Sequence, residues 1–101
     1  MVEKTALNEQ ELEKKLKEMA PEWKTGKNEK EVPFIQRVYH ASKFMEGIGF
    51  VQKVARAAEE NNHHPDLTIG WCKVGVTYTS HDQGGVTKEC LMMAKFTDEI
   101  L

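Results

Sequence analysis

The chain is poor in the residues that punctuate or cross-link a small protein. It has three prolines and two cysteines among 101 residues, too few cysteines for the disulfide framework of a small secreted domain. Cys72 and Cys90 form no CxxC pair, fall on a predicted strand and a predicted helix, and read as packing residues in a reducing compartment. No run of about eighteen apolar residues occurs, so no membrane association is expected. The opening stretch MVEKTALNEQELEKK carries acids where a signal peptide would need an apolar centre, and a cytoplasmic location is expected. An excess of charge of one sign is also missing. Fourteen Lys and Arg face sixteen Asp and Glu, a formal charge of −2, which argues against direct binding of nucleic acid.

What is present is ordinary for a globular chain, with 40% hydrophobic and 30% charged residues. Division into two units would leave neither half enough apolar surface to bury, so residues 1–101 are expected to form one domain. Asn8 followed by Glu11 has the form of a capping box, and a helix running to about Met19 carries Leu12, Leu16 and Met19 on one stripe before Pro21 ends it. The segment from Glu22 to His40 reads as two short strands joined by a turn at Gly26 to Asn28, with Pro33 at a strand start. Ser42 is the expected cap of a second helix, whose apolar residues Phe44, Ile48, Val51, Ala55 and Ala58 recur at helical spacing up to Asn61 and Asn62. Gly47 and Gly49 inside it suggest close packing on something flat.

After Pro65, LTIGWCKVGVTYTSH reads as two strands with a break near Gly70 to Lys73, because Val74, Val76 and Tyr78 alternate with Lys73, Gly75, Thr77 and Thr79. DQGG is a turn, and Thr87 can cap a last helix with Leu91, Ala94 and the Ile100/Leu101 end facing the core. The order α-β-β-α-β-β-α implies an α+β fold: a four-stranded antiparallel sheet with three helices packed on one face. Trp71 and Tyr78 cannot both hide beneath those helices, so a homo-oligomer covering the other face is expected.

The four histidines are unevenly placed. His63 and His64 stand together in EENNHHPD, at the end of a predicted helix, and His81 follows a predicted strand. His64 precedes proline, which favours an extended backbone, so the two adjacent rings project differently and serve different purposes. If the His81 strand neighbours the His63 loop, all three rings meet at one rim of the sheet. Three interpretations stand: a polar connector; a zinc site completed by Glu59 or Asp82, although adjacent histidines seldom chelate together and no HExxH spacing occurs; and metal-free acid/base chemistry. An imidazole titrates near neutral pH, so one ring can donate a proton while another accepts one. Elimination of water from a carbon beside an N–H requires such a pair.

The stretch ENNHHPDLTIGWCKVGVTYTSH resembles the pterin-4a-carbinolamine dehydratase family. The likeness rests on Asn61/Asn62, His63-His64-Pro65, Trp71, Val74-x-Val76 and Ser80-His81, and extends outward to Trp23, Phe44, Phe50 and the Gly-rich turn before the last helix. It implies the same α+β fold, a homodimer or homotetramer, and no metal or organic cofactor. The implied reaction is dehydration of a 4a-hydroxytetrahydropterin to the quinonoid dihydropterin, recycling the cofactor of aromatic amino acid hydroxylases. Carried over by resemblance, His63 and His81 are the acid/base pair and His64 binds and orients the pterin. Asn62, Thr79, Ser80 and Asp82 line the pocket, with Glu59 and Trp23 as further substrate-binding candidates. Asn62 stands where the family often has an acid, Tyr78 where it usually has Leu, and Glu89-Cys90 where a basic and an acidic residue are common. Animal members of the family also serve as dimerisation cofactors of a homeodomain transcription factor, so a non-catalytic scaffold is the alternative function.

Overall fold

The structure is a computed structural model describing residues 5–100. Helix α1, Glu9–Met19, starts at the capping box: Asn8 Oδ1 accepts the Glu11 N–H at 2.8 Å, and the Glu11 carboxylate accepts the Asn8 N–H at 3.3 Å. Leu12 and Leu16 are buried and Met19 packs against the same core. Strands β1 (Lys24–Lys27) and β2 (Pro33–His40) form an antiparallel pair. Gly26 belongs to β1 rather than to the turn. It faces Phe34, whose ring lies so close that a Cβ at position 26 would sit 2.6 Å from it. The turn comes later, where Asn28 Oδ1 accepts the N–H groups of Lys30 and Val32 and Glu31 takes a left-handed conformation.

Helix α2, Phe44–Asn61, is capped at Lys43 and not at Ser42, whose N–H instead donates to the Glu46 carboxylate at 3.2 Å. Its buried face is Gly47, Phe50, Val54 and Ala58, so of the anticipated stripe only Ala58 is fully covered. The reason is Gly47: a Cβ there would meet the Val74 side chain at 3.4 Å, and this close approach sets the line of contact on the sheet. Phe44 is left 44% exposed. Strands β3 (Asp66–Ile69) and β4 (Lys73–Tyr78) follow. Helix α3, Lys88–Ile100, has the Cys90 N–H on Thr87 Oγ1 at 3.4 Å and buries Leu91, Met93 and Ala94, while Met92 faces out. Leu101 lies outside the described residues.

The four strands run in the order β1-β2-β4-β3, each pair antiparallel. Ile35 and Tyr39 of β2 and Val74, Val76 and Tyr78 of β4 share the face covered by the helices and are buried. The expected α+β architecture and element order are those of the structure. As expected, Trp71 and Tyr78 do not both hide beneath the helices: Tyr78 is 0% exposed, whereas Trp71, 82% exposed, sits in the break between β3 and β4. Cys72 lies in the same turn, not on the expected strand.

At the α3 end of the core one carboxylate gathers three donors. Asp98 Oδ1 accepts from Trp23 Nε1 at 3.0 Å, from Arg37 at 2.9 Å and from the Tyr39 hydroxyl. Trp23 in turn packs on Tyr78 and edge-on to Tyr39, with ring centroids 5.7 and 6.3 Å apart.

Candidate active site

The His63 loop is aimed by the way α2 stops. Asn62 turns left-handed (φ 48°, ψ 44°), and the His63 N–H returns to the Ala58 carbonyl at 3.1 Å while the Asn62 N–H reaches that of Glu59 at 3.4 Å. These two bonds are a Schellman closure, which Asn tolerates because its short side chain is lightly penalised at positive φ. The chain then leaves α2, passes through His64-Pro65 and enters β3.

The sheet register sets the loop and the third histidine at one end of two adjacent strands. Asp66 at the start of β3 pairs with Thr77 near the end of β4. His63 lies three residues before the one and His81 four residues after the other, so both segments project from the same end of two adjacent strands. His81 begins a turn closed by the Ser80–Gly85 bridge, with Ser80 and Gly85 exchanging backbone bonds at 2.8 and 3.1 Å. His81 and Asp82 are exposed.

The two adjacent histidines have different surroundings, as their backbone directions require. His64 is exposed and its Nε2 lies 2.7 Å from the Glu59 carboxylate. This pair orients the ring, though an exposed ion pair contributes little to stability. His63 is drawn inward and only 13% of its side chain is exposed. It stacks on Tyr78 with centroids 5.9 Å apart, places Nε2 3.2 Å from Cys90 Sγ and holds Nδ1 3.8 Å from Glu89 Oε2. Burial pushes the thiol of Cys90 and the phenol of Tyr78 upward in pKa, so both stay neutral. The Tyr78 hydroxyl donates to Thr97 Oγ1 at 2.9 Å, because Thr97 spends its own proton on the Met93 carbonyl at 2.7 Å.

A cleft of about 170 Å³ opens beside His63, lined by Asn61, Glu89, Met92, Met93 and Phe96. Larger hollows along α1, up to about 450 Å³, contain no histidine and no acid/base pair of this kind. Glu89, Met92 and Phe96 were not read from sequence as site residues, although their i, i+3, i+7 spacing on α3 marks a common face. Cys90, which reads from sequence as packing, is also in contact with His63. The remaining site candidates fall in three places. Asn62 is the exposed helix stop. Thr79 and Ser80 lie between β4 and the His81 turn, with Thr79 Oγ1 donating to the Pro33 carbonyl at 2.6 Å. Trp23 is buried in the core with its N–H on Asp98. Among the described residues no group of three His, Cys, Asp or Glu is arranged to hold a metal ion.

Fold and loop together define a small α+β domain of the pterin dehydratase type. The sequence profile described as "Pterin 4 alpha carbinolamine dehydratase" matches residues 5–100, and the chain belongs to that family. It is 36% identical to a protein of Picosynechococcus sp. (strain ATCC 27264 / PCC 7002 / PR-6) over 95% of this chain and 98% of that one. With a protein of Roseiflexus sp. (strain RS-1) it shares 36% identity over 96% and 98% of the two chains. Both are provisionally named pterin-4-alpha-carbinolamine dehydratases. A solved structure described as a transcriptional coactivator/pterin dehydratase from Brucella Melitensis superposes with a TM-score of 0.82 at 28% identity, covering 95% of this chain and 98% of that one. A pterin dehydratase-like protein identified as a RuBisCO assembly factor in the alpha-carboxysome shares the fold at 18% identity, with a TM-score of 0.64 over 77% of this chain and 87% of that one.

Proposed function

We propose that the chain dehydrates a 4a-hydroxytetrahydropterin to the quinonoid dihydropterin by metal-free acid/base catalysis with His63 and His81, recycling the pterin used by an aromatic amino acid hydroxylase. The observation that carries this reading is the Asp66–Thr77 register, which puts the His63 loop and the His81 turn at one end of adjacent strands. In the reaction the nitrogen lone pair forms a C=N bond as the neighbouring C–O bond breaks. One imidazole gives its proton to the departing hydroxyl, which leaves as water, and the other takes the proton from nitrogen. Neither step requires a metal or an organic cofactor.

His64, held by Glu59, orients the pterin in this scheme, and Asn62, Thr79, Ser80 and Asp82 border it. Trp23 acts at one remove, as the floor on which Tyr78 packs beneath His63. We place the protein in the cytoplasm as a homodimer or homotetramer. The oligomer is supported by the apolar side chains left half or largely uncovered on α2, the end of β3 and the β3–β4 turn, namely Phe44, Met45, Ile69 and Trp71. Among the described residues no helix is long and apolar enough to cross a membrane.

Fold alone does not decide between enzyme and scaffold, and the Brucella Melitensis structure is described by both roles. Stopped-flow decay of a 4a-carbinolamine separates them. The wild-type protein should accelerate decay, and His64→Ala should mainly raise KM. A scaffold would leave decay at the uncatalysed rate. Exhaustive chelation should leave activity unchanged, and loss restored by zinc would overturn the metal-free scheme.

A further inference from the structure

Among the groups beside His63 that the mechanism above leaves unused is the buried thiol of Cys90. Its sulfur is 3.2 Å from His63 Nε2 and receives the Thr87 hydroxyl at 3.5 Å, while the Cys90 N–H donates back to Thr87 Oγ1 at 3.4 Å. Cys90 is 0% exposed and does not border the cleft, whereas Glu89, 3.8 Å from Nδ1, does. The two ring nitrogens therefore look in opposite directions, Nε2 into the protein and Nδ1 toward the open side.

From this geometry we infer that Cys90, tied to Thr87, is a positioning residue that pins Nε2 of His63 inward and leaves Nδ1 as the nitrogen that exchanges a proton with the ligand. The inference rests on the dehydratase reading for the identity of that ligand, but not for the orientation of the ring. A thiol suits the task because its sulfur is a weak, uncharged acceptor. With Nδ1 exchanging the proton, Nε2 keeps its hydrogen in both the neutral and the charged ring, so Sγ accepts Nε2–H throughout and the ring keeps its orientation while its charge changes. A carboxylate at the same place would also accept, but would favour the charged ring. Burial raises the thiol pKa, which keeps a second charge away from His63. Glu89 is the charged group on the Nδ1 side, and Tyr78 presents only its neutral ring face.

The test uses ring ¹⁵N resonances of His63 in the intact protein and in Cys90→Ser, Cys90→Ala and Cys90→Val. Serine keeps a donor and acceptor, and valine keeps volume with neither, so a variant that folds poorly does not leave the question open. The expected result is that Nε2 shifts in the Ala and Val proteins, stays hydrogen-bonded in Ser, and that Nδ1 responds instead when a stable dihydropterin is added. The Ala and Val proteins should lose about tenfold or more in kcat, as for removal of an outer-shell partner, with KM unchanged and most of the rate restored in Ser. If Nδ1 rather than Nε2 responds to loss of the thiol, or neither does, the inference fails. An inactive wild-type protein whose Nε2 still answers to Cys90 would instead remove the dehydratase reading and leave the positioning role standing.

Discussion

Asn62 holds a backbone conformation that costs an ordinary L-residue about 1–2 kcal/mol and that aims His63 away from α2. Replacing it with Val should lower stability by about 1 kcal/mol in urea titration, whereas Asn62→Gly should not. Equal midpoints for the two variants would contradict this account of the helix stop. In sequence the residue was legible as the end of the helix, a pocket candidate and a missing charge, but not as a left-handed cap, which becomes visible only once the path of the chain is known. Asp98 escaped notice for a similar reason: its three donors come from Trp23, Arg37 and Tyr39, which are distant in sequence. Asp98→Ala strands two buried donors, each costing about 1–3 kcal/mol when unsatisfied, so a loss of about 3 kcal/mol is expected from urea unfolding. A change below about 1 kcal/mol would show that water replaces the carboxylate.

Elements that announce themselves by local chemistry were readable from sequence. The α1 capping box, the Pro33 strand start, the alternation of Val74, Val76 and Tyr78 and the break before Lys73 all depend on residues a few positions apart. Asn8→Ala should accordingly cost about 1 kcal/mol, measured as a lower urea midpoint with an unchanged slope. The face of α2 was legible only in part. Periodicity favours Phe44, Ile48 and Val51, yet contact is set by Gly47 lying against Val74, a tertiary fit that no hydrophobic count reports. Gly26 fell on the wrong element for the same reason, since the Phe34 ring that occupies its empty side comes from the facing strand. At the candidate site, the HHP loop and the His81 turn stand out in sequence, whereas Glu89 and Cys90 come to His63 from a helix twenty-six and twenty-seven residues away.

At the scale of the molecule, two neutral phenols and a neutral thiol are built into the core, Tyr78 and Cys90 beside His63. The pKa values of Cys90 and Tyr78 are raised by burial, and that of Tyr39 by burial and then by its bond to Asp98. In the unfolded chain these groups ionise near 9.0 for the thiol and near 10.0 for the phenols. Folding holds them neutral, so their contribution is complete below those values and is lost as pH rises through the higher values of the folded state. The urea midpoint should fall above about pH 9, with Cys90→Ser removing the first part of the fall; a midpoint that stays level to about pH 11 would contradict it. The pairing of β3 with β4 puts the His63 loop and the His81 turn at one end of adjacent strands, and the central claim is that this end of the sheet is catalytic. Stopped-flow decay of a 4a-carbinolamine with the wild-type protein, His63→Ala and His81→Ala tests it most directly. The account predicts acceleration by the wild type and a fall of about 10²-fold or more in each folded variant; no acceleration, or wild-type rates from both variants, would contradict it.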